Sequence, residues 1–336
     1  MTIAPGQEDT DDSFAIADAG LDGAVAIKGR SPWEIVRARV RRDTVTMLAL
    51  IVAILFLVAG IAAPILAKFG VIRPDAQNPG LVTGLGSIPV NGGISLAHPL
   101  GVEPGTGRDL LARILTGMTT SLTVAVSATV FAIVFGTILG LVAGFAGGWL
   151  DWVVSRFMDL VLSFPSTLML LSLQAVLVGL IASAMNQADS APGPKIVFMV
   201  VVLGFFGFPF FARVIRGQVL SLREREFVEA ARSLGARRGR IYLKELLPHL
   251  WAPILVYTTL IMPANISAEA ALGFLGVGLN PPTASLGAIL NDSVAYALPD
   301  PTYFLFPGLT VVLLVLSFNL LGDGLRDALD PKSGRS

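Results

Sequence analysis

Charge-free apolar runs recur along the chain, separated by segments in which charge is concentrated. Residues 44–67 and 114–150 contain no ionisable side chain, and further apolar runs occupy about 160–181, 196–220, 250–272 and 302–321. A helix needs about 20 apolar residues to cross the ~30 Å hydrocarbon layer, where only an internally hydrogen-bonded backbone is tolerated. The pattern therefore predicts an all-α polytopic membrane protein with six transmembrane helices. Arg213 and Arg216 intrude on the fourth run, and the long arginine side chain is expected to snorkel from a helix end to the interface.

Composition agrees with this pattern: 54% of the 336 residues are hydrophobic and 14% are charged, too few polar groups to cover one soluble core of this size. Basic residues are retained on the cytoplasmic side during insertion. Lys28, Arg30, Arg37, Arg39, Arg41 and Arg42 precede the first run, nine lysines and arginines lie from Arg213 to Lys244, and none lies in 279–301. Both termini are thus expected in the cytoplasm, with an external loop over 68–117 and a cytoplasmic loop over 221–249. On this basis residues 1–43 form a cytoplasmic tail, disordered at its acidic start, 44–325 the membrane domain and 326–336 a C-terminal tail. The acidic start also lacks the pattern of a secretory signal. With no cysteine, a disulfide framework and a thiolate metal site are excluded.

The charged loop 221–249 is patterned as helix. Ser221 and Glu224 have capping-box spacing, and Phe227, Ala230, Ala231 and Leu234 recur at helical intervals, giving a narrow apolar stripe of roughly 20 Å at about 1.5 Å per residue. Gly235 is placed to end this helix and Pro248 the next. Such a stripe suits a groove in a partner protein, or equally a positively charged helix resting on anionic headgroups.

Glu229-Ala230-Ala231, Gly235 and Leu247-Pro248 resemble the EAA signature of ABC-importer permeases, although Glu245 stands where isoleucine is usual. More blocks resemble the dipeptide, oligopeptide and nickel importer branch, typified by the dipeptide and oligopeptide permease C subunits. They are His98-Pro-Leu-Gly101 with Gly107-Arg108-Asp109; Met158-Asp159 with Ser163-Phe164-Pro165; Glu269-Ala270 through Gly273-Phe274-Leu275-Gly276 to Pro281-Pro282; and the closing run from Phe318 to Pro331. Leu286 departs from the tryptophan usual there. The resemblance implies a type I ABC-importer permease fold in the cytoplasmic membrane. It implies as partners a second homologous permease, two ATP-binding subunits and an extracytoplasmic binding protein, and it makes Glu229 to Pro248 the ATPase-coupling loop. Short peptides lead as substrate, with nickel chelates, glutathione or haem as alternatives.

Catalytic residues are not expected, since the chain lacks a GxxxxGK[ST] phosphate loop and an HExxH motif. ATP and magnesium then belong to partner subunits, no cofactor or metal is expected on this chain, and nucleic acid is not a partner. Glu269 is expected either to line the passage or to fix a gate by a hydrogen bond. Arg156 and Asp159 are expected to pair locally. Gly273, Gly276 and Gly278 are expected to allow close helix packing or to end a helix. An ion-coupled secondary transporter is the alternative of another class; it calls for mid-membrane carboxylates, and none is evident.

Overall fold

A computed structural model describes residues 32–82, 88–279 and 283–329. The acidic start of the N-terminal tail, Pro281-Pro282 and the last residues, with Asp330 and Pro331, lie outside the described residues. The described chain is helical, in the order α1 (Pro32–Arg42), α2 (Thr44–Lys68), α3 (Leu110–Ala146), α4 (Gly148–Ser163), α5 (Ser166–Met185), α6 (Pro192–Leu222), α7 (Glu226–Ser233), α8 (Arg238–Arg240), α9 (Trp251–Phe274), α10 (Leu286–Ser293) and α11 (Pro301–Leu329). Among the described residues six helices, α2, α3, α5, α6, α9 and α11, are long and apolar enough to cross a membrane.

The third crossing departs from expectation. Instead of one helix over 160–181, the chain forms α4, breaks at Phe164 and Pro165, and resumes as α5. Proline disfavours helical backbone in the residue before it, and Phe164 is accordingly extended (φ −86°, ψ 133°). α3 begins at Leu110, inside the expected external loop, because Asp109 caps it by accepting the Ala112 N–H at 2.7 Å. α11 runs on to Leu329, past the expected end at 321.

α3 is the central helix, packing along α6 and also against α2 and α9. Gly136, Gly140 and Gly144 recur every four residues and so share one face. A Cβ at Gly140 would lie 2.7 Å from the Ala212 carbonyl and 2.8 Å from Ile215 Cβ; at Gly144, 2.8 Å from Val219 Cβ. Hydrogen lets the two backbones approach this closely, the small-residue packing that holds helices together where no hydrophobic effect operates. One apolar cluster joins α2, α3, α10 and α11 around Ile114, Met118, Ile289 and Phe318. Another joins the end of α3 to α6, α7 and the start of α9 around Phe211, Val219, Val228 and Leu246.

Asp75 and Glu103, from the described parts of the loop before α3, reach Arg113 at its start, while Arg232 of α7 lies over Phe145 at its end, so the two loops lie at opposite ends of the bundle. α1 and the end of α11 meet at the α7 end, where the Arg39 guanidinium donates to the Ala328 carbonyl at 3.2 Å.

Candidate functional site

The charged loop is built from the end of α6. Arg223 closes that helix and reaches back, its guanidinium donating to the Gly144 carbonyl at 3.2 Å. The expected capping box does not form: Ser221 is still inside α6, and α7 starts after Arg225 without a side-chain cap. The helix is consequently eight residues, roughly 12 Å, shorter than expected.

Three contacts fix its orientation. Val228 is fully buried beside Ile241 and Leu246, Phe227 stacks on His249 with centroids 4.6 Å apart, and Arg232 lies over the Phe145 ring at 4.7 Å. Gly235, at φ +76°, ends α7 as expected. The Ala236 N–H bonds the Ala231 carbonyl at 3.0 Å and the Gly235 N–H the Arg232 carbonyl at 2.9 Å, a Schellman motif. The expected stripe is thereby divided. Phe227 and Ala231 turn partly inward, whereas Glu229, Ala230 and Leu234 stay exposed, Leu234 at 88%.

Leu247 joins the apolar cluster beneath α7. Pro248 does not end a helix as expected. From α8 the chain winds through a π turn, Ile241–Leu246, and a 3₁₀ turn, Leu247–His249, into α9 with right-handed helical dihedrals at the junctions. A cleft of about 420 Å³ opens between Leu234, Gly235, Arg237 and Glu245, and another of about 690 Å³ between Glu229, Arg232, Arg238 and Phe145.

Arg213 and Arg216 both pair with carboxylates of α4. Arg216 donates to Asp151 on α4 through Nη2 at 2.7 Å, and Arg213 meets Asp159, which also takes Arg156 at 3.2 Å. The Arg216 hydrogen bonds hold the Asp151 carboxyl below the usual carboxylate range, outweighing its partial burial.

Glu269, near the far end of α9, is fully buried and lines no open passage in this conformation. Its neighbours are the Ser121 and Ser285 hydroxyls, though neither carboxylate oxygen has a partner in ordinary hydrogen-bonding geometry. Gly273 and Gly278 allow close packing: a Cβ on Gly273 would lie 2.9 Å from Gly287 Cα, and one on Gly278 2.7 Å from Gly273 Cα. Gly276, at φ +78°, ends α9 in a second Schellman motif.

At this end the His98 block is explained by its bonds. His98 Nδ1 meets Asp109 Oδ2 at 2.6 Å, beside the Val102–Asp109 bridge. Between them, Glu103 accepts from Arg108 at 2.6 Å and from Arg113 at 2.9 Å, with Glu103 2% and Arg113 1% exposed. Sequence reasoning missed this pair, reading both as loop residues.

The chain matches the family model described as binding-protein-dependent transport system inner membrane component over residues 136–335. It is 38% identical to the glutathione transport system permease protein GsiD of Shigella flexneri over 303 residues, 90% of this chain and 91% of that one. To the dipeptide transport system permease protein DppC of Alkalihalophilus pseudofirmus it is 36% identical over 302 residues, 90% of each. Among solved structures, an inward-facing form of the MetNI methionine ABC transporter aligns with TM-score 0.51 and 21% identity, covering 66% of this chain and 96% of that one; the likeness is one of fold.

Proposed function

The chain belongs to the family of binding-protein-dependent transport system inner membrane components, the permease subunits of ABC importers, and from that premise we propose that it forms half of a pathway carrying short peptides inward. Its relatives are named for dipeptide and for glutathione, and glutathione is itself a tripeptide, so the two names describe one substrate class. A second, homologous permease supplies the other half, an extracytoplasmic binding protein delivers the peptide, and ATP with magnesium is handled on two partner subunits. The N-terminus and the α7 loop face the cytoplasm, in keeping with their arginines.

The observation that carries this reading is α7 itself. It is held to the bundle by Val228 and Phe227, closed by the Gly235 cap, and presents Glu229, Ala230 and Leu234 outward. A rigid short helix with a small-residue face and one fully presented leucine fits a groove in an ATPase. Closure of the ATPase pair then displaces α7 and, through the π and 3₁₀ turns, α9.

Leu234→Glu tests the coupling role. The side chain is exposed, so insertion and thermal stability should match the parent, while burying a leucine in a partner is worth about 1.5–3 kcal/mol. Co-purification with the ATPase subunits and peptide uptake in proteoliposomes should each fall about tenfold or more. Unchanged co-purification and uptake would overturn the assignment.

A further inference from the structure

α4 carries three kinds of surface at once. Residues three and four apart share a helix face, so Asp151, Ser155 and Asp159 form one stripe and Trp149, Val153 and Leu160 another. Met158 and Val161, on a third, are the only buried residues among its 16. The first stripe faces α6 through the arginine pairs described above. The second is apolar and exposed, Trp149 at 72%. Trp152 and Arg156, four residues apart, stand on the border between the two.

Where the stripes meet, a cleft of about 480 Å³ opens between α4 and α6. Its lining sets Arg156, Arg213 and Arg216 against Asp151 and Asp159, three positive charges against two negative. Asp151 and Arg216 neutralise each other through two hydrogen bonds. The surplus therefore falls on Asp159, one carboxylate shared by Arg156 and Arg213. Arg156 commits Nη1 to it and Arg213 commits Nη2. A guanidinium carries five N–H donors, so each keeps donors for an anion, and Arg156 is 66% exposed.

We propose that this cleft binds one anionic phospholipid, its phosphate on Arg156 and Arg213 and its acyl chains along Trp149, Val153 and Leu160. Tryptophan collects at the membrane–water interface, and arginines at that level attract anionic headgroups. A free phosphate or a partner's carboxylate would use the arginines and leave the apolar stripe without cover, whereas a phospholipid uses both. The lipid would also fasten α4, held to the bundle by few buried side chains, to α6. From the importer reading above the proposal takes only the leaflet, the cytoplasmic one, since α4 follows the end of α3 beside which α7 sits.

The test is native mass spectrometry of the full complex in mild detergent, titrated with phosphatidylglycerol or with phosphatidylcholine of the same acyl chains. One phosphatidylglycerol should stay on each copy of this chain, bound about tenfold tighter than phosphatidylcholine. Arg156→Gln leaves the Arg213–Asp159 pair in place and should weaken that binding about fivefold, the scale of one arginine beside an anionic lipid. Arg156→Gln/Arg213→Gln should abolish the preference over phosphatidylcholine. Arg37→Gln/Arg41→Gln on α1 removes the same charge from exposed positions at the same end of the bundle and should leave the preference intact.

Equal retention of the two lipids, or a loss in the α1 variant as large as in the cleft variants, would overturn the site. Displacement of phosphatidylglycerol by millimolar inorganic phosphate at constant ionic strength would make it a site for the free anion and overturn the lipid. Binding to the isolated chain that is lost in the complex would mean that a partner subunit covers the cleft, and overturns it too. If the double variant fails to assemble, Arg156→Gln alone decides. Lipid retention is read without transport: a chain that purifies without ATPase subunits counts against the importer reading, and unselective retention counts against the cleft.

Discussion

Replacing Gly140 by alanine adds one methyl group where α3 and α6 have no room for it. The new carbon would stand 2.7 Å from the Ala212 carbonyl oxygen, against 3.4 Å or more for ordinary contact, so the helices must part by about 0.7 Å. The obstacle is backbone, which no side-chain rotation relieves, and overpacking of this kind costs about 1–3 kcal/mol. Alanine also gains roughly 1 kcal/mol over glycine in helix propensity, which hides part of the cost. Gly217 on α6 supplies the control, since nothing lies within 4 Å of its Cβ position. Gly217→Ala should therefore raise the unfolding midpoint in detergent, and Gly140→Ala should fall below it by about 1–3 kcal/mol, roughly 5- to 150-fold in the unfolding equilibrium. Equal shifts in the two variants would refute the close approach of α3 and α6.

Other outcomes follow from the ion pairs and the ends of the bundle. Glu103→Ala removes the carboxylate shared by Arg108 and Arg113 and should cost about 1–3 kcal/mol, since Asp75 still stands 3.7 Å from Arg113, read as a lowered melting temperature of the purified chain. Asp151→Asn should destabilise by roughly 1 kcal/mol at neutral pH, because the pair with Arg216 is only partly buried. The folded carboxyl titrates below its unfolded value, so its contribution is present above about pH 4 and fades as pH falls through the lowered value; the asparagine variant should lose that part of the acid dependence in a pH series of melts. Single cysteines at Leu96 and Leu234, both highly exposed, should react with impermeant maleimide from opposite sides, Leu96→Cys in intact cells and Leu234→Cys in inverted vesicles; labelling from the same side refutes the topology.

The six crossings were legible because each is a long apolar run with at most two charges inside it. The break between α4 and α5 was not read, since the apolar pattern continues through it, although Pro165 carries the signal: a proline forces its predecessor out of helix. Ser221 and Glu224 had the right spacing for a cap, but α6 runs on through Ser221 to Leu222, and local chemistry gave way to helix continuity. Gly235 was read correctly as a helix end because a left-handed position leaves few alternatives, and of the two readings open for Gly276 the helix end is the one the chain adopts. The contact of α3 with α6 was not read, although Gly136, Gly140 and Gly144, four apart, carry its signal. Glu103 and Arg113 were not legible at all, because burial of a charged pair depends on which distant backbone folds over it.

Gly235 and Gly276 also bound a single mechanical part. Between them the chain is wound almost without interruption from Arg238 to Phe274, α-helical at both ends with one loose and one tight turn between. At each boundary sits a glycine with left-handed dihedrals and nothing within 4 Å of its Cβ position. The piece is thus one continuous rod with a hydrogen-bonded glycine cap at either boundary. In the coupling proposed above, a push at the α7 end reaches the other end by movement of the rod as a whole, and the rod's length, not a chain of repacked side chains, would set how far apart the two events lie.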